Sequence, residues 1–223
     1  MGYYLGNKNS KKKISIKGLN RLYSTKTGEV YKYKNNALTV FKDKNHPPLT
    51  EETADLMTRI STDRILLPKK LLFYNSAFSG FTFRLVDQVG NGNRMIMLPK
   101  DELVGNLVLI EEDIETLSSK RILLDGIDPN NTFFNGDLFL TDPSRYSVLE
   151  DCDIARLEDL NKLQFHLLIT ELMARELRER SSDKTLEKKL RRIMSMKEAE
   201  VSTSTFVAKK IGKCDSVKQY LKK

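Results

Sequence analysis

From Gly28 to Phe41 the chain reads GEVYKYKNNALTVF. β-rich residues on both sides of Asn35-Asn36 predict two antiparallel strands joined by a turn. His46-Pro47-Pro48 ends the second strand, and Thr50 then stands where it can cap a helix. Glu51 and Glu52 fall in that helix's first turn, at the positive end of its dipole. Ala54, Met57 and Ile60 or Ile65 would face inward. The stretch ILLPKKLLFYNSAFSGFTFRLV, Ile65 to Val86, holds two more β-rich runs punctuated by Pro68, Asn75-Ser76 and Gly80, which predicts a second antiparallel pair. Gly90, Asn91 and Gly92 form a connection, after which the apolar period changes from two to about 3.6.

Beyond Pro99, the residues Leu103, Leu107, Ile110, Ile114 and Leu117 form a helical stripe. Ile122 to Leu124 then lead into the loop DGIDPNN. A short hairpin follows, Thr132 to Phe134 and Leu138 to Leu140 around Asn135-Gly136, and it ends at Asp142. The remainder reads as helical, with Leu157, Leu160, Leu163, Leu167 and Leu168 on one stripe and Leu186, Leu190, Ile193 and Met194 on another. His166 lies inside the first of these helices and reads as a structural or surface residue rather than a ligand or base. His46 sits beside two prolines. The order of elements is that of an α+β chain: a basic segment over residues 1–19, a strand-rich part over 20–89, and a mainly helical part over 90–223.

Composition narrows the classes without choosing among them. With 39% hydrophobic and 30% charged residues in 223, the chain is too apolar to be disordered and large enough to bury a core. Its two cysteines, Cys152 and Cys214, have no Cys or His neighbour at metal-ligand spacing, which suits a reduced compartment. Met1 to Lys13 lacks the apolar core of a secretion signal, and no stretch approaches a membrane span, so a cytoplasmic protein without membrane partners is expected. A formal charge of +8 invites a nucleic-acid or acidic partner. The excess gathers at the two ends, from Lys8 to Lys17 and from Lys209 to Lys223, where solvated lysines are the plainer reading.

The chemistry concentrates in LLDGIDPNNTFFNGDLFLTDPSRY, Leu123 to Tyr146. This stretch resembles the catalytic loop, following hairpin and metal-binding Asp motif of the protein-kinase-like family, in its divergent bacterial form. VYKYKNNALTVF resembles the family's second and third strands, and Ile65 to Val86 its fourth and fifth; the likeness covers roughly residues 20 to 170. It implies a two-lobed fold, with an antiparallel N-terminal sheet and a reduced, mainly helical C-terminal lobe. It also implies ATP and Mg²⁺ as cofactors, because phosphoryl transfer rests on positioning and on neutralising charge around the metal. Asn131 matches the metal-binding Asn and Asp142 the metal-binding Asp. Both also suit plain turn chemistry, as Asn, Asp, Pro and Ser favour turns.

Several parts of the family pattern are missing. The catalytic Asp would fall at Gly126, flanked by Asp125 and Asp128. Pairing the loop on Asn130 instead would put Asp125 in that place. The lysine that holds the α- and β-phosphates would fall at Thr39, with Lys42 three residues on and directed to the opposite face. Glu51 or Glu52 would stand for that lysine's helix partner, although capping also accounts for them. The glycine after the metal-binding Asp is replaced by Ser144, and the phosphate loop shrinks to Ser24 to Gly28 with one glycine. The resemblance therefore implies a pseudokinase or regulatory module with a protein partner. The alternatives are an active atypical kinase and a basic nucleic-acid-binding protein.

Overall fold

The computed structural model describes residues 2–7, 10–86, 95–180, 184–195 and 202–222. The connection at Gly90, Asn91 and Gly92 lies outside them. The chain is α+β, with a seven-stranded antiparallel sheet and six helices among the described residues. It divides into two compact units. One holds residues 1–62, 66–86 and 141–148, and the other holds 63–65, 87–140 and 149–223.

The first unit is built on strands β1 (Tyr3–Asn7), β2 (Ser10–Ile14), β3 (Arg21–Ser24), β4 (Gly28–Tyr33) and β5 (Asn36–Phe41), then helix α1 (Glu51–Met57), then β6 (Lys70–Tyr74) and β7 (Ala77–Arg84). Their order in the sheet is β2-β1-β6-β7-β5-β4-β3. The two expected hairpins form as β4–β5 and β6–β7. Asn75 and Ser76, at φ 49° and 72°, give the β6–β7 turn the left-handed pair that matches the twist of a two-residue hairpin.

Three strands of this sheet were not expected. β1 and β2 arise within the stretch that reads as merely lysine-rich, and β3 precedes the first expected hairpin. β2, SKKKI, is an edge strand, and lysines along an edge blunt pairing with other chains. Charge there hides a strand from a reading of apolar alternation. Ile65 to Leu67 also departs from expectation: β6 begins only at Lys70, after Pro68, while Ile65 makes an isolated bridge to Leu140.

Both faces of β5 are covered. Leu38 and Val40 pack with Leu5 and Leu72 on one side, against the half-buried Ile14, Ile16 and Leu19. On the other side Phe41 meets Phe78 and Phe81 edge-on at ring separations of 5.3 and 5.9 Å. Thr50 caps α1 through the Thr53 amide, and Ala54 and Met57 are buried as expected.

The second unit contains α2 (Lys100–Ser119), the two-residue β8 (Ile122–Leu123), the hairpin β9 (Thr132–Phe134) and β10 (Leu138–Leu140), and helices α3 (Ile154–Arg180), α4 (Lys184–Ile193), α5 (Thr203–Ile211) and α6 (Val217–Lys222). The last strand, β11 (Ser147–Val148), belongs to the first unit. All five apolar residues of the α2 stripe are buried. α3 is different: Leu157 and Leu168 are buried, but Leu160, Leu163 and Leu167 are exposed, Leu167 by 59%. The buried face runs through Leu157, Asn161, Phe165, Leu168 and Ile169. Asn161 decides this rotation. Its Oδ1 accepts from the Leu124 amide, and its amide nitrogen donates to Ser118 Oγ and to the Ile122 carbonyl, all at 2.9 Å.

His166 is buried on the same helix, which settles its role as structural. Its Nε2 is 2.7 Å from the Met194 carbonyl, its Nδ1 is 3.4 Å from Thr203 Oγ1, and its ring meets Phe206 edge-on. A carbonyl only accepts, so Nε2 carries a proton. Burial pushes its pKa down, against the opposing hydrogen bond to Met194. In the unfolded chain the imidazole takes up a proton below about pH 6.5, whereas the folded chain resists it. Stability should therefore fall as pH drops from 7 to 5, by at most about 1.4 kcal/mol per pH unit from this group. In His166→Gln, whose amide keeps a donor and does not titrate, thermal midpoints over the same range should fall less steeply.

Candidate functional site

Each unit contains one half of the predicted centre. In the first, β3 and β4 are joined by the loop Thr25 to Thr27, which folds on its own hydroxyls. The Thr25 amide donates to the Gly28 carbonyl at 2.8 Å, and the Gly28 amide donates back to Thr25 Oγ1 at 2.9 Å. Thr25 Oγ1 is also 3.1 Å from Thr27 Oγ1. Lys42, just past the end of β5, ties the loop down from the side: its Nζ donates to the Thr25 carbonyl and its amide to the Thr27 carbonyl. Its ammonium is thus engaged with the stretch that reads as a reduced phosphate loop.

Against this loop lies the segment Thr141 to Arg145. Asp142 caps a single 3₁₀ turn, Pro143–Arg145, by accepting from the Ser144 amide at 3.1 Å. Ser144 is fully buried, and its Oγ is 3.3 Å from Thr27 Oγ1. Tyr23, on β3, completes the group. Burial pushes its phenol pKa up, and the Asp142 carboxylate pushes it further, with a hydrogen bond to Thr141 opposing. The phenol stays protonated beside the carboxylate.

Thr39 lies at the centre of β5, opposite Val30 on β4 and Phe81 on β7, and is buried. Ala37 and Phe41 share its side of the strand, so the place at which the resemblance puts a phosphate-holding lysine is an apolar one. Glu52 is exposed on the first turn of α1.

In the second unit the loop after β8 carries the other predicted residues. Asp125 is exposed. Gly126 has φ 69°, a conformation that favours glycine and makes the turn possible. Asp128 caps the 3₁₀ turn Pro129–Asn131, accepting from the Asn130 amide at 2.7 Å. Its backbone carbonyl accepts from the Asn131 amide and from Thr132 Oγ1. Arg175 on α3 donates to Asn130 Oδ1 at 3.1 Å. Asn131, the last residue of that turn, is half-buried. Asn106 on α2 fixes the hairpin behind this loop, accepting from the Leu138 amide at 2.8 Å and donating to the Gly136 carbonyl at 3.2 Å.

Asn131 belongs to the second unit and Asp142 to the first. Among the described residues, no group of three or more His, Cys, Asp or Glu side chains converges as a metal site. The carboxylates of Asp128 and Asp142 each cap a turn, which is the plain chemistry their sequence allowed. Tyr23 and Thr27 escaped the sequence reading. Their only signal was a cluster of hydroxyls, Ser24, Thr25 and Thr27, in a loop with a single glycine.

No protein-family model matches the chain, and no curated protein matches it. Among the described residues no helix is long and apolar enough to cross a membrane.

Proposed function

We propose that this chain is a divergent bacterial protein-kinase-like protein with an incomplete phosphotransfer centre, a pseudokinase that works as a regulatory module through a protein partner. The observation that carries the reading is the 3.3 Å contact between Thr27 and Ser144. In the family, the glycine-rich loop covers the nucleotide phosphates and the Asp motif holds their Mg²⁺. Here the two corresponding segments touch through their hydroxyls, and the side chains present do not fit Mg-ATP between them.

Three further features support this reading. Gly126 offers no side chain to accept a proton. Thr39 offers no charge and is buried beside Phe81. Asp142 already accepts from the Ser144 amide. Losing one preorganised electrostatic group typically costs about 10² to 10³ in rate, and kinases turn over at only about 1 to 100 per second. Such losses do not simply multiply, but two of them leave little transfer to observe.

Incubation with labelled ATP and a panel of protein acceptors tests the reading. Wild-type chain and Asp142→Ala are expected to transfer equally little label. Transfer by the wild type that Asp142→Ala abolishes would instead establish an active atypical kinase, with Asp125 or Asp128 as its base.

A further inference from the structure

α4 sorts its residues by side. Leu190 is buried, as is Met194 just past the helix end, with Leu186 and Ile193 half-buried on the same side. On the opposite side Lys184, Lys188 and Arg192 recur every fourth residue, and all three are exposed. At 1.5 Å per residue they line about 12 Å of one helix face. Glu187, the helix's only acid, does not offset this row, because it accepts from Arg178 at 3.3 Å and from Arg191 at 3.0 Å. Lys189, beside the row, donates to the Leu221 carbonyl at 3.0 Å. That bond holds the end of α6 beside α4 and brings the exposed Lys222 to the same region.

We propose that this face docks on the phosphate backbone of double-stranded nucleic acid, independently of the kinase-like reading. A row of cations that no described acid pairs with complements a row of phosphates, and counterion release drives such contacts without base recognition. Two other polyanions fit less well. The apolar residues of α4 point inward, so the helix has nothing to insert into a lipid surface. It carries no aromatic residue on which the bases of a single strand would stack.

The test is fluorescence anisotropy of a labelled duplex titrated with the full chain at several salt concentrations. Four contacted phosphates predict a log–log slope of about −3.6, or a loss of about a hundredfold between about 50 and 200 mM salt. The triple variant Lys184→Gln, Lys188→Gln, Arg192→Gln should bring the slope to about −1, with an unchanged thermal midpoint because the residues are exposed. Substituting Lys11, Lys12 and Lys13 by Gln should leave binding as it is. Three results would overturn the proposal: no binding at the lowest salt, an unchanged slope in the triple variant, or phosphatidylserine vesicles bound as tightly as the duplex through the same three residues.

Discussion

Gly80→Ala should destabilise the first unit by about 3 kcal/mol, read as a lowered urea midpoint with an unchanged slope. Gly80 has φ 151° and pairs with Val40 across the β5–β7 ladder. A Cβ at this position would lie 2.0 Å from the Thr39 carbonyl oxygen and 3.2 Å from the Val40 Cα. These are backbone atoms in the middle of the sheet, so they cannot swing aside as a side chain would. Relief requires β7 to pull away from β5, which breaks ladder hydrogen bonds and opens the packing of Phe41 on Phe81. Ser79→Ala, one residue earlier, loses only the local hydrogen bond to the Ala77 carbonyl and should cost about 1 kcal/mol or less.

Asp113→Ala should cost the second unit about 4 kcal/mol. The carboxylate is buried on α2 and accepts from three successive amides, Asp63 at 3.0 Å, Arg64 at 2.6 Å and Ile65 at 2.8 Å. Each amide left without a partner costs about 1 to 3 kcal/mol, less whatever water recovers. The segment it holds is also tied to β10, where the Leu140 amide donates to the Arg64 carbonyl at 2.9 Å, so loosening should spread to the hairpin. Asp113→Asn keeps one acceptor oxygen but turns an NH₂ toward donors, and should fall between wild type and Ala. A chemical-denaturation series over the three proteins checks that order.

Where apolar periodicity was unambiguous, sequence carried the fold well. The α2 stripe and the β6–β7 and β9–β10 hairpins form where alternation and turn residues put them, and the β4–β5 hairpin turns at Lys34-Asn35, one residue before the expected Asn35-Asn36. It failed where a polar residue is part of the core. On α3, Leu160, Leu163 and Leu167 have helical spacing and the stronger hydrophobicity, yet the buried face is the one containing Asn161, because that amide satisfies the Ile122 carbonyl in β8 and the Leu124 amide just after it. Asn106, Glu111 and Asp113 are of the same kind: helix residues, buried, each capturing amides of a neighbouring segment. A hydrophobic count treats them as surface, although their positions beside the α2 stripe marked them as inward-facing. Turn chemistry was legible in the candidate site at Asn131 and Asp142, whereas Asp128, read as a candidate base, turned out to cap the Pro129–Asn131 turn. Its closure was not, because Thr27 and Ser144 are separated by 117 positions and neither hydroxyl carries a sequence signal for the other.

The central claim, that the segment proposed as a phosphate loop is closed against Asp142-Pro143-Ser144, is tested most directly by thermal unfolding of the intact chain with and without saturating Mg-ATP. A ligand at a hundred times its dissociation constant stabilises by about 2.7 kcal/mol, which moves a midpoint by several degrees. The account predicts the same midpoint in both conditions. An upward shift that Asp142→Ala removes would contradict it.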